Sequence, residues 1–280
     1  MKQLFDEVSL NCSRIVTKKY STSFSMAVKL LSPGIRNAIY SIYGFVRFAD
    51  EIVDTFHDYD KERLLEDFEK QYYDALETGI SLNPILNSFQ NTVKKYGITD
   101  DMVKAFLKSM RADLYKANYT TKEEYDAYIY GSADVVGLMC LKVFVNGDDT
   151  KYQELKDAAM RLGSAFQKVN FLRDLKNDYE LLNRSYFPNV DLSSLDANSK
   201  KQIIEEIEND FNYAFTNGVL KLPAEAKFGV YMAYRYYRRL LKKLKKVPSS
   251  KIIETRIRIS DPMKINLLAR SYVKYKLNMI

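Results

Sequence analysis

Along most of the chain, apolar residues recur three and four positions apart, the spacing of one face of an α-helix. This period predicts helices over residues 3–18, 35–56, 60–78, 83–96, 99–116, 122–145, 150–182, 199–217, 224–246 and 263–277. Turn chemistry falls between them. Ser32-Pro33-Gly34 precedes the second helix, Thr99-Asp100-Asp101 opens the fifth, Asn146-Gly147-Asp148-Asp149 closes the sixth, and Pro223 sits at a first-turn position. No stretch alternates with period two long enough to require a strand, and no repeat of 20–50 residues is present. Residues 189–199 form the longest polar loop and read as a surface connection. The pattern therefore predicts an all-α protein with residues 1–280 in a single domain.

Composition narrows what such a bundle can do. With 280 residues, 46% of them apolar, the chain can bury a large core and is not a disordered protein. Two cysteines, Cys12 and Cys140, and one histidine, His57, exclude a disulfide scaffold, a four-cysteine zinc site and a His-rich metal site. They also argue against Ser-His-Asp catalysis. The opening MKQLFDEVSL lacks the apolar core of a signal peptide. Apolar runs such as Val135–Leu141 meet a charge well before the roughly 18 residues of a membrane span. The expectation is a cytoplasmic protein. Its net charge of +7 is uneven: residues 221–280 hold 16 Lys/Arg and three acids, while residues 1–220 are net negative. The C-terminal part thus calls for an anionic partner, whether nucleic acid, a membrane surface or a diphosphate.

Two helices carry acids where their surroundings disfavour them. Residues 39–56 are apolar almost all round, which marks a buried helix, yet Asp50 and Asp54 project from one face a turn apart. Two unpaired buried carboxylates would each cost several kcal/mol or neutralise. Either Arg47, one turn earlier, or a divalent metal such as Mg²⁺ would compensate them. An ordinary exposed acidic face explains the spacing equally well. In the second helix, Gln167, Asn170, Asp174 and Asp178 are spaced 3, 4 and 4, forming one oxygen-bearing stripe. Phe166, Val169, Phe171, Leu172 and Leu175 occupy much of the remaining surface. A solvated face normally mixes Lys with Glu, so this stripe reads better as a metal face, with Arg173 as a fork for phosphate. Two such helices facing across a cavity would hold several Mg²⁺ ions around a diphosphate.

These two segments, FVRFADEIVD and QKVNFLRDLKND, resemble the aspartate-rich motifs of the squalene/phytoene synthase family, the head-to-head trans-isoprenyl diphosphate synthases. Tyr20-Ser21-Thr22-Ser23-Phe24, the segment Tyr128–Gly137 (YIYGSADVVG) and Asn183–Pro188 (NRSYFP) match further family elements in the expected order. Together they cover about residues 20–190; Tyr237 and the basic C-terminal helix fit more loosely. Departures are Asn177 where the family usually has Glu, Asp134 where a small residue is common, and Glu51 beside Asp50 where Asp-Asp is frequent. Asp134 is expected to point away from the cavity.

The resemblance implies an isoprenoid-synthase-type helical bundle around a central cavity. It implies Mg²⁺, or Mn²⁺ in its place, on Asp50, Asp54, Asn170, Asp174 and Asp178. Arg47, Arg173, Ser21 and Ser23 would meet phosphate oxygens, with Gln167 completing the polar stripe. Phe24, Tyr43, Val136, Gly137, Leu162, Phe166 and Tyr237 would line the prenyl substrate. Tyr128 would stabilise a carbocation with its ring or shuttle a proton; a plain core role is the alternative in a chain of 22 tyrosines. Gly131, Gly137 and Gly163 would let helices approach closely, and His57 is expected at the surface.

The implied reaction, on the pattern of the bacterial-type phytoene enzymes, joins two geranylgeranyl diphosphates through a cyclopropylcarbinyl diphosphate to phytoene, without NADPH. The same chemistry on farnesyl diphosphate, to squalene or dehydrosqualene, is the rival reading. A non-catalytic, membrane-associated or assembly-factor relative is a third, which retention of all four motif aspartates argues against. A nucleic-acid binder would make no use of the acidic stripes, so no nucleic-acid partner is expected. The basic helix 231–246 can turn Tyr234, Tyr237, Leu241 and Leu244 to the core, leaving its cations for solvent or for peripheral contact with anionic membrane. Arg256 and Arg258 are candidates to close over a diphosphate.

Overall fold

The helical period is realised almost throughout the chain. In the computed structural model, which describes residues 1–182, 184, 186–188 and 195–277 (for 177–182 the backbone alone), no strand occurs among the described residues. The helices are α1 Lys2–Tyr20, α2 Thr22–Val28, α3 Pro33–Thr55, α4 Lys61–Thr78, α5 Pro84–Tyr96, α6 Asp100–Ala112 and α7 Lys122–Ile129. After a π-helical turn, Tyr130–Asp134, follow α8 Val135–Val145, α9 Asp149–Leu182, α10 Ala197–Asn217, α11 Ala224–Lys246, α12 Ser249–Glu254 and α13 Asp261–Lys276. Their ends follow capping chemistry. Ser21 and Asp60 accept the Phe24 and Arg63 backbone N–H groups, and α4 and α5 stop at Gly79 and Gly97 in the left-handed conformation. Helices α2 and α12, seven and six residues long, are too short to show a period and were not expected from it.

One expectation is corrected. The continuous helical run Lys122–Val145 is long and apolar enough, by length and composition, to cross a bilayer. It passes the length test because α7 and α8 join through the π turn without interruption. Its apolarity serves the interior instead: 61% of its most apolar window is buried, and α8 packs on α3, α6 and α9.

Two apolar clusters form around the bundle's long helices. In the first, Phe45 of α3 stacks on Phe89 with centroids 4.0 Å apart and packs against Phe68, Tyr72 and Phe106. In the second, α7, α9, α10 and α11 surround Phe171, Phe211, Leu172 and Leu241. Each such side chain, fully buried, contributes roughly 1.5–3 kcal/mol. A seam between the clusters is marked by Phe24 and Val136, packed against the first, and by Leu162, Phe166 and Tyr237, packed against the second: Phe24 stacks on Tyr43, whose hydroxyl lies within electrostatic reach of Tyr237. Both acidic motifs border this seam.

Candidate active site

Helix α3 presents Arg47, Asp50, Glu51 and Asp54 within two turns. Arg47 donates Nη1 to Asp50 Oδ2 at 2.5 Å and its other arm to Glu51, while its guanidinium lies 4.4 Å above the Tyr20 ring. Burial works against the Arg47 charge, but the Asp50 and Glu51 carboxylates more than offset it and raise its pKa. Asp54 is held from far along the sequence. Buried Arg184, just beyond α9, donates Nη1 to Asp54 Oδ1 at 2.6 Å and Nη2 to the Asp113 carbonyl at 3.0 Å. The Asp113 and Asp54 charges outweigh burial and keep Arg184 firmly protonated.

Asp50 nevertheless sits with its pKa raised to about 7. Burial is the main cause, the neighbouring Asp54 charge the next, and together they outweigh Arg47. This end of the seam is short of positive charge.

On α9, Asp174 is held between two guanidiniums. Arg173 donates Nε to Oδ1 at 2.9 Å and Nη2 to Oδ2, and Arg256 places Nε 2.6 Å from Oδ1. Arg258, by contrast, is exposed, and its carbonyl accepts from Lys243 Nζ at 2.6 Å. Asn170 donates to Gln167 Oε1 at 3.4 Å and accepts from the Tyr237 hydroxyl at 3.3 Å, so three of the four stripe residues are described. The Asp178 side chain lies outside the described residues.

The apolar positions assemble on both walls. Phe24 stacks on Tyr43 at 5.0 Å and Phe166 on Tyr237 at 4.1 Å. Burial pushes the Tyr43 hydroxyl up to about 12, with Asp50 and Tyr237 adding smaller rises. Val136 and Leu162 are half-buried. Gly137 is a packing position: a Cβ there would come 2.9 Å from the Ala159 carbonyl oxygen, so glycine lets α8 and α9 touch. Gly163 does the same against the Ala133 carbonyl, and Gly131 against the Ala105 carbonyl. Ser21 caps α2, and Ser23 faces a small crevice shared with Met232 and Tyr236 of α11.

Tyr128 is buried, and its hydroxyl donates to Asp113 Oδ2 at 2.8 Å. Its ring lies among Tyr119, Phe171 and Tyr186. Burial first, then the Asp113 charge, hold this hydroxyl well above its usual pKa. Asp113 is itself pushed up to about 7 by burial, against the opposing effects of Arg184 and the Tyr128 hydrogen bond. Sequence reasoning passed over Asp113, since nothing in its neighbourhood flags it, and read Arg184 only as part of a motif. Asp134 is buried against α9, accepting from Ser164 Oγ at 2.7 Å, and burial raises it to about 7. His57 is exposed beside Lys61, as expected.

The donor set fits a divalent cation. Carboxylate and carboxamide oxygens are hard ligands, and the raised Asp50 pKa marks a shortage of positive charge that such an ion meets. Among the described residues no three acids, cysteines or histidines converge on one point. The acids are divided between α3 and α9, an arrangement suited to a ligand that spans both, as a metal-bound diphosphate does.

This all-α bundle, with acid–arginine clusters on two helices bordering an apolar seam, has the fold of the isoprenoid synthases. It superposes on a dehydrosqualene synthase crystal structure with a TM-score of 0.80 at 20% identity, covering 97% of this chain and 98% of that one. On a squalene synthase from Alicyclobacillus acidocaldarius the score is 0.74 at 20% identity, covering 86% and 94%. Residues 17–262 match the squalene/phytoene synthase family, and the chain belongs to it; members are prenyltransferases that use divalent metal for diphosphate substrates.

Among relatives, chloroplastic phytoene synthase 2 of Solanum lycopersicum is 26% identical over 297 residues, covering 97% of this chain and 92% of the relative. Phytoene synthase of Pseudescherichia vulneris is 31% identical over 177 residues, covering 60% and 56%. Chloroplastic phytoene synthase 2 of Zea mays is 32% identical over 174 residues, covering 58% of this chain and 41% of the maize protein.

Proposed function

We propose that the chain catalyses the Mg²⁺-dependent head-to-head condensation of two geranylgeranyl diphosphates to phytoene, through a cyclopropylcarbinyl diphosphate and with release of diphosphate. One observation carries this reading: the Tyr43 hydroxyl on α3 feels the charges of both Asp50 of the first motif and Tyr237, and the Tyr237 hydroxyl donates to Asn170 of the second motif at 3.3 Å. Mg²⁺, or Mn²⁺ in its place, would be held by Asp50, Asp54, Asn170, Asp174 and Asp178 and would supply Lewis-acid neutralisation of the departing diphosphate.

The chain's own residues do the rest. Arg47 keeps a buried Nε without a partner among the described residues, a donor that a phosphate oxygen satisfies. Arg173 offers a second planar fork, and Ser21 and Ser23 stand at the same end of α2. Phe24, Tyr43, Val136, Leu162 and Phe166 hold the prenyl chains and exclude water that would quench an allylic cation. Tyr128 serves through its ring face, since burial and Asp113 keep its hydroxyl protonated. NADPH is not required for this outcome.

The relatives named phytoene synthase support the C20 substrate. A second reading, farnesyl diphosphate to dehydrosqualene or squalene, draws support from the 0.80 TM-score with a dehydrosqualene synthase. Incubation with either diphosphate and Mg²⁺, with and without NADPH, and analysis of the product separate them. A C40 product without reductant is expected; a C30 product from farnesyl diphosphate alone reassigns the substrate, and no product from either overturns the reading.

A further inference from the structure

On the far side of α11 from the seam, α11 and α13 enclose a cleft of about 1020 Å³. Arg239, Lys242, Lys246 and Arg270 line it, and among the described residues none of the four has a hydrogen-bond or ion-pair partner. Glu208, the single acid on its walls, is already held by Lys245 at 2.9 Å. A recess of about 220 Å³ continues the cleft past Arg239, Lys242 and Lys246. At 100° per residue, Arg239, Lys242 and Lys246 lie roughly half a turn round α11 from Tyr237, which faces the seam. The two sites therefore use different faces of one helix. Leu241 and Leu267 floor the cleft with apolar surface.

The adjoining surface of α13 is apolar and open. Ile265, Tyr272, Val273 and Leu277 are 64%, 49%, 55% and 63% exposed. On a helical wheel the four fall within less than half the circumference, with Lys276 among them and Arg270 and Lys274 along one edge. Single exposed apolar residues are ordinary, but four on one face beside an uncompensated cationic cleft are not. An apolar strip flanked by Lys and Arg is the composition of a helix that lies in a membrane interface. A soluble polyanion would use the cations and leave the strip idle, whereas an anionic bilayer uses both.

We propose that this surface docks on an anionic bilayer, a lipid phosphate entering the cleft against Arg239, Lys242, Lys246 and Arg270 while Ile265, Tyr272, Val273 and Leu277 reach the acyl boundary. The inference stands apart from the reaction proposed above, because none of these residues is placed at the acidic seam.

Co-sedimentation of the full chain with phosphatidylcholine vesicles, with and without about one third phosphatidylglycerol, tests it. Binding is expected only with the anionic lipid and is expected to weaken as salt rises. The triple variant Arg239→Glu/Lys242→Glu/Lys246→Glu should lose about 100-fold or more in vesicle affinity, since each cation near such a surface is worth roughly fivefold. Because the chain contains no tryptophan, Val273→Trp provides a single emission that shifts to the blue on insertion. Should the triple variant fold poorly, the salt series and the paired surface variant Ile265→Ser/Leu277→Ser, expected to weaken binding, carry the test. Unchanged binding by a folded triple variant, equal binding to neutral vesicles, or no vesicle binding at all overturns the proposal. So does inorganic diphosphate binding at the cleft without any affinity for vesicles.

Discussion

Arg184 illustrates how one side chain can join two distant stretches of sequence. It is buried, and it compensates Asp54 while its second arm holds the Asp113 carbonyl. Replacing it with Ala leaves those acids without their cation, and a loss of about 3 kcal/mol in urea unfolding is expected. Arg184→Lys should recover part of this, because a point charge cannot reproduce the fork. Asp50 has the opposite balance. Its carboxylate is penalised by burial and by Asp54, so Asp50→Asn should leave the melting temperature unchanged or higher at pH 8. Turnover should fall by roughly 100-fold or more, as when a group that stabilises developing charge is removed. A variant that retained near-normal turnover would remove Asp50 from the proposed metal set.

At the scale of elements, the π turn and α9 meet so closely that side chains are excluded. Gly163→Ala would place a Cβ 2.8 Å from the Ala133 carbonyl oxygen, and a cost of about 1–3 kcal/mol is expected despite alanine's better helix propensity. Gly34, also helical, has nothing within 4 Å of such a Cβ, so Gly34→Ala should be neutral or stabilising by up to about 1 kcal/mol. Chemical denaturation of both variants distinguishes packing from propensity.

The same contact carries a pH signature. Asp134 titrates near 7 in the fold, through burial, against an unfolded value of about 3.9. Its protonated form is the one the fold favours, so its contribution to stability is complete below about pH 4 and is lost as pH rises through 7. Asp134→Asn should therefore gain in melting temperature relative to the parent between pH 5 and pH 8.5; an equal difference at both would refute the burial account. Helix α1 adds a lesson about faces. It buries Ser9, Ser13 and Thr17 and leaves Leu4, Val8 and Ile15 exposed, because close approach to Ser88 and Gly44 leaves room only for small side chains.

At the scale of the whole molecule, the proposed site draws its acids and arginines from two helices, α3 and α9, and under that proposal a metal-bound diphosphate bridges them. Mg²⁺ and diphosphate added together should raise the melting temperature by several degrees, and either alone by much less, because a ligand that binds only the folded state stabilises it. The double variant Asp50→Asn/Asp174→Asn should abolish the shift. Equal shifts from diphosphate alone would argue that the arginines suffice without metal.

Helix positions, the all-α class and the acid-bearing stripes were legible in the linear order of residues, since all three depend on spacing within one helix. Asp50 with Asp54, and Asn170 with Asp174, lie one turn apart, and local geometry alone sets such neighbours on a common face. The pairing of Arg184 with Asp54, the hydrogen bond of Tyr128 to Asp113 and the burial of Asp134 against Ser164 depended on which helices pack together. Those contacts join residues up to 130 positions apart. The burial that raises Asp50, Asp113 and Asp134 comes into being only when the cores close, because desolvation is a property of the assembled surroundings and not of any stretch of chain.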